Sequence, residues 1–124
     1  MILVDTSVWV DHLRVGDVRL AGLLESNAVV MHPFVVGEIA CGSLVDRALT
    51  LDLFQHLPMA AVADSDEVLG YVERHRLHGK GIGYVDVHLL ASAALGGTKL
   101  WTRDKWLLAV ARKLGYALPD AGEH

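Results

Sequence analysis

Residues 1–9 read Met-Ile-Leu-Val-Asp-Thr-Ser-Val-Trp, which is an apolar run, then an acid, two hydroxyl residues and the start of an amphipathic segment. The apolar run at 2–4 is typical of a short strand buried on both faces. Helical spacing of the residues after the acid predicts a helix at 7–14. A strand followed directly by a helix is the repeating unit of parallel α/β sheets.

The same alternation continues along the chain. Further apolar runs predict strands at 28–31, 59–62 and 99–102. Apolar residues at helical spacing predict the remaining helices, at 19–26, 33–41, 46–56, 64–77, 84–95 and 104–114. We therefore predict an α/β fold with a central parallel sheet flanked by helices. One domain is expected over 1–118, followed by a flexible tail at 119–124.

Composition narrows the class of protein. The chain has 124 residues, with 11 Lys and Arg against 15 Asp and Glu, and this net charge of −4 argues against binding nucleic acid by bulk electrostatics. A hydrophobic content of 52% excludes a disordered chain and leaves room for a buried partner surface. The single cysteine, Cys41, excludes an internal disulfide and is expected to be buried. Without a visible export or membrane-spanning segment, we expect a cytoplasmic protein with no membrane partner.

Four acids stand out from their surroundings. Asp5 directly follows the first predicted strand and Asp104 lies just past the last one, where ligands bind in parallel sheets. Glu38 lies in a mostly apolar helix without a nearby Lys or Arg, so burial would demand a metal or a distant partner. Asp86 lies in the first turn of the most apolar helix. The three aspartates also have a simpler interpretation, as acids that cap helices or favour their first turns.

As a set, the four acids predict more than capping. Carboxylates that converge near a sheet edge repel one another, and some become protonated unless a cation joins them. Oxygen ligands suit Mg²⁺ or Mn²⁺ better than zinc. Such an ion lowers the pKa of a bound water and stabilises charge on a phosphoryl group. The chemistry indicated is hydrolysis of a phosphodiester.

Four segments in this order resemble the PIN domain, and in particular the VapC toxins of bacterial toxin–antitoxin pairs. They are residues 1–9, Gly-Glu-Ile at 37–39, the helix that contains Asp86, and Thr-Arg-Asp at 102–104. The resemblance covers nearly the whole chain and implies an α/β/α sandwich with a central parallel sheet. It also implies a ribonuclease dependent on Mg²⁺ or Mn²⁺. The implied acidic quartet is Asp5, Glu38, Asp86 and Asp104.

The same resemblance implies roles for these residues. Asp5, Asp86 and Asp104 would hold the metal directly or through water, and Glu38 would be a further ligand or orient the attacking water. The supporting hydroxyls would be Thr6 or Ser7 beside the first acid, and Thr102 beside the last. The expected product ends are a 5′-phosphate and a 3′-hydroxyl. Transfer RNA or ribosomal RNA is the expected substrate, and inhibition of translation and growth the expected effect.

Partners follow from the resemblance as well. A VapB-type antitoxin is expected to cover the toxin, and promoter DNA would be bound only through that antitoxin. A homodimer and a higher toxin–antitoxin assembly are also implied. The apolar excess of the composition is consistent with such surfaces.

One basic cluster, at 74–80, offers contacts for RNA phosphates. Its Arg74, Arg76 and Lys80 are candidates, together with Arg103 near the last acid. The competing interpretation is that cations at the end of a helix complement its dipole.

The aromatic residues carry expectations of their own. Trp9, Trp101 and Trp106 fall within apolar spacing, which predicts core or interface positions rather than platforms for bases. His88 lies two residues after Asp86, on another face of the predicted helix, and is interpreted as structural.

Two other classes of function compete with a nuclease. A phosphoacceptor domain would carry an adjacent acidic pair after the first strand, and an Asp-x-Asp phosphatase would carry an acid at position 7. Thr6 and Ser7 depart from these patterns. A binding module without turnover, in which the acids only cap helices, is the other alternative. Stabilisation by a metal would separate the module from the nuclease.

Overall fold

Three parallel strands form the centre of the protein, whose computed structural model describes residues 1–119. They are β1 (Ile2–Val4), β2 (Val29–Val30) and β3 (Lys99–Trp101), arranged in the order β2-β1-β3. Leu3 and Val4 point to opposite faces of the sheet, and both are fully buried. Both faces are therefore covered, as predicted for an α/β fold. Residues 120–124 of the predicted tail lie outside the described residues.

Seven helices surround the sheet within the described part of the chain. They are α1 (Thr6–Val15), α2 (Val18–Glu25), α3 (Pro33–Ala40), α4 (Arg47–Gln55), α5 (Ser65–His75), α6 (Tyr84–Gly96) and α7 (Lys105–Leu114). Each begins and ends within two residues of its predicted bounds. Among the described residues, no helix has the length and apolar character needed to cross a membrane.

The strand predicted at 59–62 does not form, and this prediction was wrong. Met59 makes only an isolated parallel bridge with Met31. Pro33 begins α3 two residues after Met31, so β2 offers no further backbone for a fourth strand to pair with. Met59 and Val62 remain exposed for that reason, and the chain continues into α5.

The register of the sheet brings two sequence-distant segments together. Val4 at the end of β1 lies opposite Trp101 at the end of β3. The backbone N–H of Asp5 then donates to the carbonyl of Trp101 at 2.9 Å. Asp5 and Thr102 therefore leave the sheet side by side at its carboxyl edge, where the candidate site lies.

Candidate active site

Asp5 is the buried centre of the site, with only 6% of its surface exposed. It occupies the N-cap position of α1, yet its side chain makes no capping hydrogen bond. Instead, its Oδ2 accepts hydrogen bonds from Ser7 Oγ at 2.8 Å and from Thr102 Oγ1 at 2.7 Å. The simpler interpretation of this acid as a helix cap therefore does not describe what its carboxylate does.

The hydroxyls of Ser7 and Thr102 also fix the loop after β3. Ser7 Oγ accepts from the backbone N–H of Arg103 at 3.0 Å, and Thr102 Oγ1 accepts from that of Asp104 at 3.1 Å. Each hydroxyl thus donates to Asp5 and accepts from the loop that carries the last acid. This network places Asp104 relative to Asp5 without a direct contact between two carboxylates.

Glu38 is exposed on α3, so the desolvation expected of a buried glutamate does not arise. Its Oε1 accepts a hydrogen bond from Thr6 Oγ1 at 2.7 Å. The two neighbouring hydroxyl residues of α1 therefore serve different acids, since Ser7 bonds Asp5 and Thr6 bonds Glu38. The sequence alone left the choice between these two hydroxyls open.

Asp104 is exposed and caps α7, as its simpler interpretation predicts. One carboxylate oxygen, Oδ1, accepts from the backbone N–H groups of Trp106 at 2.9 Å and Leu107 at 3.0 Å. Capping orients the carboxylate at the helix N-terminus. Because both bonds use the same oxygen, capping and a role in the site are compatible.

Asp86 shows the electrostatic effect of the other three acids. It lies in the first turn of α6, and its Oδ2 accepts from the backbone N–H of Gly83 at 3.0 Å. Burial raises its pKa above the ordinary aspartate value, and the charges of Asp5, Asp104 and Glu38 raise it further. The charges of the other three acids therefore act on Asp86, although the four residues lie far apart in the sequence.

Aromatic packing holds the helices that carry two of these acids. The ring of His88 on α6 packs edge-on against Phe34 at 4.4 Å and Tyr84 at 4.6 Å between ring centroids. His32 caps α3 and lies 6.2 Å from His88, and burial lowers the pKa of both imidazoles. Neutral, buried rings between α3 and α6 agree with the structural role predicted for His88.

The donor chemistry of the site fits Mg²⁺ or Mn²⁺, because Asp5, Asp86 and Asp104 offer only oxygen. A cation there would offset the repulsion that raises the pKa of Asp86. However, no three His, Cys, Asp or Glu side chains in residues 1–119 lie close enough together to hold an ion. The three predicted ligands therefore do not form a preformed metal cluster in this structure.

Arg103, one of the predicted RNA contacts, is engaged by carboxylates of the protein itself. Its guanidinium donates to Asp11 at 2.7 Å and to Asp17, the N-cap of α2, and stacks over the ring of Trp101. These contacts raise the pKa of Arg103 despite its partial burial, and Arg103 in turn helps to lower the pKa of Asp17. The side chain is bound by two carboxylates on the α1–α2 side, and its contact with RNA stays a prediction.

Three other expectations have different outcomes. Trp9 and Trp101 are buried, at 2% and 0% exposure, whereas Trp106 is 54% exposed and does not belong to the core. Cys41 is exposed rather than buried, because it follows the last turn of α3 at the surface. The helical spacing of Trp106 with later apolar residues correctly indicates one shared face, but that face lines a groove.

The basic cluster remains a prediction. Arg74, Arg76 and Lys80 are all exposed. Arg76 ends α5 in the left-handed conformation, with φ at 53°. Its position agrees with the competing dipole interpretation, and exposure leaves all three available to a ligand.

Known proteins are similar to this chain in sequence and in fold. The family model of the PIN domain matches residues 2–113. Two relatives named Ribonuclease VapC32, from Mycobacterium tuberculosis strains CDC 1551 and H37Rv, are 50% identical over 121 residues, covering 97% of this chain and 98% of theirs. A solved structure of FitAB bound to an IR36 DNA fragment has a TM-score of 0.61 at 23% identity. The match covers 90% of this chain and 91% of the FitAB chain, which shows a shared fold.

Proposed function

The chain belongs to the PIN domain family, among its VapC-type members, and on that premise we propose that it is a divalent-metal-dependent endoribonuclease. The observation that carries the proposal is the hydrogen-bond network at the carboxyl edge of the sheet, in which the Ser7 and Thr102 hydroxyls join Asp5 to the loop of Asp104. The charges of the other three acids also raise the pKa of Asp86. Unrelated capping acids would have no reason to share one sheet edge. The name of the VapC32 relatives supports RNA as the substrate.

In this proposal, Asp5, Asp86 and Asp104 hold Mg²⁺ or Mn²⁺. When bound, the ion would lower the pKa of a water molecule and neutralise negative charge on the phosphate. Asp5 is fixed for this task by the Ser7 and Thr102 hydroxyls, which both donate to its Oδ2.

Glu38 has a different role in the proposal. It is exposed, accepts from Thr6, and lies close enough to Asp86 to raise its pKa. A carboxylate held by a hydroxyl at the open side of a site can accept a proton from an attacking water and orient it. The phosphodiester would then be hydrolysed to a 5′-phosphate and a 3′-hydroxyl.

The test is cleavage of purified transfer and ribosomal RNA. We expect cleavage with Mg²⁺ or Mn²⁺, and an arrest of cleavage by EDTA that excess metal reverses. A metal present at about 100 times its dissociation constant should also add about 2.7 kcal/mol of apparent stability. If neither metal produces cleavage or a shift in melting temperature, the alternative of a binding module without turnover is favoured.

We further propose that the chain is the toxin of a cytoplasmic toxin–antitoxin pair, inhibiting translation by cutting transfer or ribosomal RNA. Its partners would be a VapB-type antitoxin and a second copy of the chain, with promoter DNA bound only through the antitoxin. The VapC name of the relatives supports the antitoxin.

An apolar groove of about 600 Å³, here the α4 groove, fits an antitoxin segment. It lies between α1, α3 and α4 and contains Val10, Leu13, Leu49 and Leu53, all of which are exposed. Glu38 lies in the same groove, so a bound segment would reach the acidic site. A basic side chain on that segment would be attracted by the acids and would block them.

Leu49→Lys is expected to abolish antitoxin binding and leave RNA cleavage intact, because it places a charge in the apolar groove. Leu69→Lys on α5 is the matched control, since Leu69 and Leu49 are 56% and 59% exposed. The measurement is copurification from the native host, followed by inhibition of RNA cleavage by the recovered partner. A partner that inhibits Leu49→Lys as strongly as the wild type would contradict the assignment of this groove.

A further inference from the structure

A second groove, here the α7 groove, lies between the segment after α5 and the helix α7, and its volume is about 490 Å³. His75, Lys80 and Gly81 line one wall, and Trp106, Val110 and Lys113 line the other. Neither the acidic site nor the α4 groove accounts for it.

Trp106 is an unusual residue to leave in solvent. It is 54% exposed, and the Lys105 ammonium lies 5.0 Å from the centre of its ring. Its backbone N–H donates to Asp104, which fixes its position at the start of α7. A large aromatic side chain would ordinarily be buried or engaged with a partner.

Gly81 allows the opposite wall to approach this ring closely. It has φ at +80°, and a Cβ there would lie 3.2 Å from two atoms of the Trp106 ring. A side chain at position 81 would therefore be strained by the backbone conformation and would crowd the Trp106 ring. The ring is held against one wall, while about half of its surface stays open to the groove.

Charge in the walls points to a polyanion. Lys80, Lys113 and the His75 imidazole line the groove, and the segments 74–85 and 105–119 that form its walls contain no Asp or Glu. Each segment adjoins the acidic site, since Asp86 follows the first and Asp104 precedes the second. A groove with two lysines and an exposed aromatic ring is thus built from segments that are next in sequence to two of the four acids.

We propose that the α7 groove binds single-stranded RNA beside the scissile phosphate, with a base stacked on Trp106 and phosphates contacted by Lys80 and Lys113. This inference rests on the proposed function, which supplies RNA as the substrate. Stacking platforms combined with a cationic groove are how proteins bind single strands without sequence preference. A purely apolar partner would leave the lysines unpaired, so charge favours RNA as the occupant.

The experiment uses the full chain, a twelve-nucleotide oligo(A) RNA and EDTA, which prevents cleavage. Intrinsic fluorescence reports on the groove, because Trp106 is the exposed tryptophan and Trp9 and Trp101 are buried. We expect oligo(A) to quench this fluorescence. Trp106→Leu should weaken binding, measured by anisotropy of labelled RNA, by about 5- to 150-fold, and Trp106→Phe by less than about threefold.

The contribution of charge is measured separately through salt. Lys80→Gln and Lys113→Gln should each reduce the slope of log affinity against log salt by about 0.7. Lys99→Gln is the control for the loss of one exposed cation, because Lys99 is exposed and does not line the groove; its Nζ donates to the Gly115 carbonyl. The slope of that variant should be unchanged.

Three results would overturn the inference. Equal RNA affinity for Trp106→Leu and Trp106→Phe would exclude stacking. Equal quenching by inorganic polyphosphate would show that charge, without stacking of a base, explains the binding. If Trp106→Leu sediments as a monomer while the wild type sediments as a dimer, the groove is an interface between two copies of the chain.

Cleavage of RNA by the wild type with Mn²⁺, measured in parallel, separates the two proposals. Cleavage without an effect of Trp106→Leu on binding would reject only the groove. Quenching by oligo(A) without any cleavage would reject only the nuclease.

Discussion

Replacing Asp5 with asparagine is expected to lower the rate of RNA cleavage by about 10³-fold while the protein stays folded. Asp5 is the most buried of the four acids and receives two hydroxyl hydrogen bonds on one oxygen. Asparagine keeps the shape but removes the negative charge that holds a divalent ion. A factor of about 10³ corresponds to roughly 4 kcal/mol of lost transition-state stabilisation.

The fold should tolerate this change because asparagine keeps a side-chain oxygen. That oxygen can accept from Ser7 and Thr102 as Oδ2 of the aspartate does. We expect the free energy of unfolding in urea, measured without metal, to change by no more than about 1 kcal/mol. A larger loss would mean that Asp5 acts mainly in folding.

Asp66→Asn is the matched control for Asp5→Asn. Asp66 is exposed in the first turn of α5, remote in sequence from the four acids. The same loss of one charge there should leave the cleavage rate within about twofold of the wild type, because an exposed charge is screened by solvent and salt. If Asp5→Asn cleaves RNA as fast as Asp66→Asn, then Asp5 is not part of the active site.

The sequence was sufficient to predict all seven helices of the described chain and three of the four expected strands. These predictions rest on local information, since the spacing of apolar residues identifies each element. The strand predicted at 59–62 failed for a reason that is not local. Its apolar run needs a partner, and Pro33 ends that partner early by starting α3.

Side-chain assignments within the site could not be obtained from the sequence alone. Thr6 and Ser7 are adjacent, and only the packing of α1 against α3 and the loop after β3 decides which acid each one bonds. In the sequence, Arg103 is a cation that directly precedes the acid Asp104. Its actual partners, Asp11 and Asp17, come from helices about ninety residues earlier in the chain.

Replacing Asp86 with asparagine is expected to raise the stability of the metal-free protein near neutral pH, even as it abolishes cleavage. Burial and the three other acids raise the pKa of this carboxyl, so folding favours its protonated form. Ionised Asp86 therefore opposes folding when no metal is present. Asparagine removes this repulsion and can still accept from the Gly83 N–H.

The pH dependence follows from the direction of that pKa shift. Below the ordinary aspartate pKa of about 3.9, Asp86 is protonated in both folded and unfolded states, and its ionisation does not affect stability. As the pH rises through the folded pKa, the unfolded state loses its proton more readily, and the wild type loses stability. The stabilising effect of Asp86→Asn should thus grow from acidic to neutral pH.

Thermal melting in EDTA across this pH range measures the effect. We expect a rise of a few degrees at neutral pH, since about 1 kcal/mol shifts the midpoint of such a domain by roughly 4 °C. With Mn²⁺ the order should reverse, because the wild type gains about 2.7 kcal/mol at 100 times the dissociation constant and Asp86→Asn loses a ligand. If Asp86→Asn instead melts lower than the wild type in EDTA at neutral pH, the four acids do not repel one another as their convergence requires.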